Sequence, residues 1–419
     1  MESTVTKLWN KNFSLLVIGQ LITIFGNQIL TFALPFYILQ TQESAALFGT
    51  ILGLSFIPLI VTAPIGGIMA DRLKKQWVMF WLDVTTFVCI IAFMVASGIF
   101  TAAIVPLVIV KLLTLNITQS MYIPCVHGGT PLIVPRDNLV RANSATETVT
   151  TVSNMVAPGV AGFLLGRFGL PSILVASAVC FAFAAALDLL INFPYEKPQA
   201  ASNVMQIIKN DTSLAIRFVK ERPFLIKIAA LMIIVSIPTT GVLMVGVPVF
   251  ILQNLGISME HMGIGRTISW GGTLLSAALV GYLGERLTIS KVHLFVMLLS
   301  LAILPIGIVL LMDIPSFTAF IVMIASDFIF GVIILPYWVP IWAYIQRETP
   351  EELVGKVISL FTAVSFASAG VGFLLFGALI DRFYSVPWLI VFVSAFIIFT
   401  AAFVFRKWFV NEGMVQYSR

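Results

Sequence analysis

Long apolar runs, each near the length that crosses a bilayer, follow one another from Phe13 to Val410 with short polar spacers between them. A hydrocarbon core takes about 20 apolar residues per helix. Inside it every backbone N–H and C=O must be satisfied within the segment or in a closed barrel. The runs lack the short alternating pattern of a barrel. They therefore predict an all-α integral membrane fold. Twelve spans are read, at 13–40, 45–70, 76–99, 102–126, 140–166, 171–193, 223–253, 257–283, 290–312, 317–345, 354–380 and 386–410. Composition agrees: 59% of the residues are hydrophobic and 10% charged, against about 25% charged in soluble domains. The opening "MESTVTKLWNKNF" leads into an apolar run holding Asn27 and Gln28, with no small-residue cleavage site, and reads as a retained first span.

The net charge of +5 is less informative than its distribution, and it carries no expectation of nucleic-acid binding. Lys7, Lys11, Arg72, Lys74, Lys75, Arg136 and Arg141 fall in spacers on one side, as do Arg286, Lys291, Arg347, Lys356, Arg406 and Lys407; Arg167, Arg266 and Arg382 fall on the other. By the positive-inside rule both termini are expected in the cytoplasm, for a bacterial cytoplasmic membrane protein. The longest polar stretch divides the chain into 1–198 and 223–419 around a loop at 199–222, where "NVMQIIKNDTSLAIRFVKE" has helical apolar spacing and a basic face. That segment predicts a helix lying along the membrane surface. Cys89, Cys125 and Cys180 have no metal-like spacing.

One pattern occurs four times. "GGIMADRLKK" ends the second span with Gly67, three residues, then Asp71 and Arg72; "GYLGERL" ends the eighth with Gly281, Glu285 and Arg286. "GALIDRF" ends the eleventh with Gly377, Asp381 and Arg382, and "GFLLGRF" ends the fifth with Gly162, Gly166 and Arg167. Gly67 and Gly281 are 214 residues apart; Gly162 and Gly377 are 215 apart. Such offsets predict three-helix repeats nested in two six-helix halves. A glycine one turn before the acid lets a neighbouring helix come close, and the acid can face the positive end of another helix. The pattern reads as a latch, although plain topology signal accounts for Lys74 and Lys75.

"GGIMADRLKK" resembles the loop motif between spans two and three of the major facilitator superfamily, and the resemblance covers the whole chain. It implies twelve helices in two pseudo-symmetric six-helix bundles, with Gly67, Asp71 and Arg72 in contacts between halves. Asp83 is similarly placed to a recurrent acid of span three, with a latch role favoured over a substrate role. "TPLIVPRDNLVRANS", "ELVGKVISL" and "IPCVHGGTPLIVP" are similar to the drug:proton antiporter branch that includes macrolide-efflux proteins. That branch's span-five motif stands here as "APGVAG": Pro158 and Gly162 match, while Ala157 and Ala161 are small substitutes. Leu115 occupies the place of an arginine frequent in the family, with Lys111 one turn earlier.

The resemblance also implies that spans one, four, seven and ten line a cavity. These spans are independently polar, with Gln20, Thr23, Asn27 and Gln28 in span one, and Lys111, Thr118, Gln119 and Tyr122 in span four. Span seven has Thr239 and Thr240; span ten has Asp327, Tyr337 and Trp338. Polar groups facing lipid are disfavoured, so these faces should meet protein or water. Asp327 stands alone in a run that could cross a bilayer, and Lys111 and Arg266 are its candidate partners. It reads as the proton-linked or cation-binding carboxylate, with a purely structural contact as the alternative. Glu147 reads as a gating or helix contact. Asp188 and Lys227, near span ends, read as snorkelling. No Walker loop, His-x-x-x-His, Gly-x-Ser-x-Gly or paired acids in facing helices is evident, so neither ATP-driven nor enzymatic chemistry is expected. The expectation is a monomeric, cofactor-free secondary transporter exchanging protons for an amphipathic small molecule, surrounded by lipid. Export of a siderophore-like metabolite or lipid, or solute import, remains open, and a channel is disfavoured.

Overall fold

The computed structural model describes residues 8–194, 204–312 and 314–417. Twelve long helices follow in chain order, here spans 1 to 12: Lys11–Gln42, Ala45–Arg72, Lys75–Ile99, Ile104–Ile133, Leu139–Phe168, Leu170–Asp188, Pro223–Asn254, Met259–Leu283, Val292–Leu311, Ser316–Glu348, Glu351–Arg382 and Pro387–Tyr417. Ten of them are long and apolar enough to cross a membrane among the described residues. Spans 2 and 8, with 28 and 25 residues, are long enough at about 1.5 Å per residue. Span 8 is the more polar, carrying Glu260, His261 and Arg266. Span 4 runs through Pro124 and Pro131, beyond its expected end.

Local sequence explains several boundaries. Span 5 stops at Gly169, whose φ of 74° is open to glycine at little cost, and Pro171 opens span 6. The expected surface helix is present at Val204–Lys220. Ala215, Phe218 and Val219 are buried while Leu214, Ile216 and Arg217 are exposed, the spacing of a helix with one packed face. That helix packs on span 11. Span 7 is irregular: Gly241–Gly246 and Phe250–Asn254 are π-helical, separated by Val247–Val249.

The chain forms two compact units. The first holds span 1, span 2 from Leu54, spans 3 to 6, and Ser258–Thr267 from the start of span 8. The second holds Gln42–Gly53 from the start of span 2, the surface helix, span 7, and everything from Ile268 onward. Each unit thus contains a short piece from the other half of the sequence. In the first unit, Phe13, Val78, Met79, Val126, Ile191 and Phe193 form an apolar cluster joining spans 1, 3 and 4 to the segment after span 6. That segment folds over the helix ends, its Asn192 and Phe193 amides donating to Asn12 Oδ1 and Gln76 Oε1.

Candidate functional site

Polar residues of span 1 reach three neighbouring helices of the first unit. Gln20 Nε2 donates to the Thr146 carbonyl of span 5 at 3.5 Å. One turn on, Thr23 Oγ1 donates to Asp83 Oδ2 of span 3 at 2.8 Å. Asn27 Nδ2 donates to Gln119 Oε1 of span 4 at 2.6 Å, and Gln28 bonds Asn154 of span 5. The spacing 20, 23, 27 and 28 puts these groups on neighbouring sides of one helix, so a single span organises the polar interior. Gln20, Asn27 and Asp83 are all buried. Asn154, four residues before Pro158, is a partner that sequence reading missed; its signal was an amide in the apolar stretch "TVSNMVAPG". Lys111 is buried as well, its Nζ 3.4 Å from the Thr86 carbonyl.

Several expectations need correction. Asp83 lies within span 3, 1% exposed, and accepts from Thr23. Asp188 does not snorkel: it is 0% exposed, its carboxyl against Gly19 of span 1. Buried acids on two helices do occur on one side of span 1, Asp83 of span 3 against Thr23 and Asp188 of span 6 against Gly19. Glu147 is exposed, and its carboxyl makes no hydrogen bond or ion pair among the described residues. A Cβ added at Gly281 would meet nothing within 4 Å, so this glycine does not serve close packing. Arg72, Arg286 and Arg382 are exposed. Gly67, Asp71 and Glu285 lie outside the residues whose surroundings are described.

Two of the four repeated motifs do make close seams. In the first unit Gly162 of span 5 meets Gly263 of span 8 so tightly that a Cβ at Gly162 would stand 2.7 Å from Gly263 Cα and 2.8 Å from the Met259 carbonyl. A Cβ at Gly263 would stand 2.6 Å from the Pro158 carbonyl, which explains the small, kinked "APGVAG". In the second unit a Cβ at Gly377 of span 11 would lie 2.6 Å from the Ala45 carbonyl of span 2. One turn on, Asp381 Oδ1 accepts from the Ala45 amide at 2.8 Å, and Oδ2 accepts from the Ala46 amide and Ser44 Oγ, both at 2.9 Å. Asp381 therefore faces the positive end of another helix, as the motif's chemistry anticipates. Gly166 occupies the matching place in span 5, so that motif supplies no carboxylate of its own; a Cβ there would stand 2.9 Å from Glu260 Cγ of span 8.

The second unit also holds a cavity of about 220 Å³ between spans 7 and 10. Thr239, Leu243 and Met244 line it on one side, Phe330, Tyr337 and Trp338 on the other. Residues 327, 330, 334, 337 and 338 share one face of a helix, so Asp327, 5% exposed, belongs to the face that lines the cavity. Span 8 fixes this part of span 10: Ser276 Oγ donates to the Val332 carbonyl at 2.7 Å. Arg266 is half-buried at the start of span 8.

Twelve such helices, repeated seams and polar interiors define an architecture that a family comparison can test. The model of the Major Facilitator Superfamily matches residues 16–373. The chain belongs to that superfamily. It is a multi-pass membrane transporter, with ten helices individually long and apolar enough to span among the described residues. It is 22% identical over 384 residues to macrolide efflux protein A of Streptococcus pyogenes, covering 89% of this chain and 90% of that one. Over 194 residues it is 28% identical to the lysophospholipid transporter LplT of Salmonella heidelberg, covering 45% of this chain and 44% of the other. A crystal structure of the nucleoside transporter NupG superposes with a TM-score of 0.71 at 16% identity, over 95% of this chain and 99% of that one. The superfamily protein described here shares that fold.

Proposed function

We propose that the protein is a proton-driven exporter of amphipathic compounds such as macrolides, giving antibiotic resistance to the bacterium that carries it. The cavity between spans 7 and 10 carries this reading. Its wall combines Phe330, Trp338 and Met244 with the hydroxyls of Thr239 and Tyr337, which suits a large apolar body with a few polar handles. Asp327 continues the same face of span 10. It stands eleven residues from Ser316, about 16 Å along the helix and near the middle of a 30 Å core. A central aspartate costs about 2.5–3.5 kcal/mol to insert, a cost that a proton-coupling role explains. The likeness to macrolide efflux protein A supports the substrate class. The halves 1–198 and 223–419 would alternate access around the loop at 199–222 in a monomer, both termini cytoplasmic.

A second reading, transport of an anionic amphiphile, is favoured by Lys111, a buried cation bonded to a carbonyl, and by the likeness to a lysophospholipid transporter. Everted vesicles given an acid interior, without ATP, separate the two. Erythromycin uptake that dissipates with a protonophore supports macrolide export; uptake of lysophospholipid alone supports the second reading. Asp327→Asn is expected to insert normally and to abolish gradient-driven uptake. Uptake by that variant at the wild-type rate, with unchanged pH dependence, removes Asp327 from the coupling role.

A further inference from the structure

Among the described residues of the first unit with unpartnered buried oxygens, Gln20 and Asp188 stand at one turn of span 1. Asp188 ends span 6 and is 0% exposed, and no hydrogen-bond donor reaches either of its carboxyl oxygens among the described residues. A Cβ built on Gly19 would stand 3.5 Å from Asp188 Oδ1. Four residues along the same face, Thr23 donates to Asp83 Oδ2 at 2.8 Å. The buried Tyr122 hydroxyl lies on the same side, next to Thr23. The facing groups are thus Gly19 and Thr23 from span 1, Asp83 from span 3, Tyr122 and Cys125 from span 4, and Asp188 from span 6. Neither acid forms an ion pair among the described residues, and Lys111 is directed to the Thr86 carbonyl. Phe13, Val78, Met79, Val126, Ile191 and Phe193 form a buried apolar cluster of the same unit.

We infer that Asp83 and Asp188 together bind one proton inside the first unit, at a site separate from Asp327. Two carboxylates buried on one side of a helix cannot both readily stay ionised without a cation beside them. One proton supplies the missing donor to Asp188, halves the charge of the pair, and leaves Thr23 bonded to Asp83. Because Gly19 and Thr23 form the contact surface, the proton fixes the orientation of the helix that also presents Gln20, Asn27 and Gln28 to the interior. The inference deepens the exporter reading above and rests on it for what the proton achieves, but not for the proton's presence.

Infrared spectroscopy of the purified full-length protein in lipid tests this at neutral pH. The wild type is expected to show a protonated-carboxyl C=O band of which one carboxyl equivalent is lost in Asp83→Asn and in Asp188→Asn, and kept in Asp327→Asn. The substitutions are isosteric, and melting curves of each variant report whether it has folded. A wild-type spectrum lacking the band overturns the inference even if both variants misfold. So does a band untouched by either variant, or one that vanishes when sodium replaces potassium, which would make the pair a sodium site. Vesicles without proton-driven export, alongside a band that behaves as stated, reject the exporter reading and leave the site standing.

Discussion

Replacing Asp381 by asparagine takes a formal charge and one acceptor oxygen from the end of span 11. In the wild type the carboxylate holds three donors, the Ala45 and Ala46 amides and Ser44 Oγ, at 2.8–2.9 Å. Asparagine keeps one oxygen, and its amide group would face a second N–H that it cannot accept. At least one bond is lost, worth about 1.5–3 kcal/mol for a charged acceptor, together with a helix-end interaction of about 0.3–1 kcal/mol. Asp381 is exposed, so water replaces part of the loss. The net effect is about 1–2 kcal/mol, or about 5- to 30-fold in the stability of the seam. With the native cysteines replaced, spin labels at Glu43→Cys and Tyr384→Cys read the separation of the two helix ends. The wild type should show one short distance, and Asp381→Asn a longer population enriched by that factor. An unchanged distance distribution at equal folding would show that the carboxylate does not hold the seam.

Gly162→Leu places a side chain where Gly263 Cα and the Met259 carbonyl already stand; overpacking of this kind costs about 1–3 kcal/mol, so melting of the purified variant should fall by several degrees and transport should drop, while Gly281→Leu, facing open space, should melt as the wild type does. Asp71→Asn and Gly67→Leu should each express normally yet transport slowly, and wild-type rates at equal protein level would reject a latch at the end of span 2. Single cysteines at Lys75 and Ser258 should react with an impermeant maleimide from opposite sides of the membrane; labelling of both on intact cells would refute the twelve-span topology.

The span order was legible because a bilayer leaves little choice: an apolar run of the right length becomes a helix, and its ends follow from residues such as Gly169 and Pro171. The convergence of Thr239, Tyr337 and Trp338 could be anticipated from polar and aromatic residues that lipid would not accommodate. Asp188 was misread because distance from a helix end stands in poorly for exposure. Its carboxyl stands instead against Gly19, a residue of span 1 that nothing local in the sequence of span 6 names. The partner of Asp381 lies 336 residues away at Ala45, and nothing local in "GALIDRF" names it. Gly281 shows the converse, since a repeated motif preserved the residue type while the surrounding packing differed.

The wide turns of span 7 bear on how its length can change. A π turn carries one residue more than the α turn it replaces. Deleting a residue from most membrane helices turns everything beyond it by about 100°; in span 1 this would part Gln20 from the face of Asn27. Within Gly241–Gly246 the wide turn can instead close to an ordinary one, and the stretches on either side keep their directions. What disappears is the bulged wall of the cavity, where Leu243 and Met244 sit. Shortened relatives of this helix could therefore fold as well as the present one while enclosing a differently shaped space.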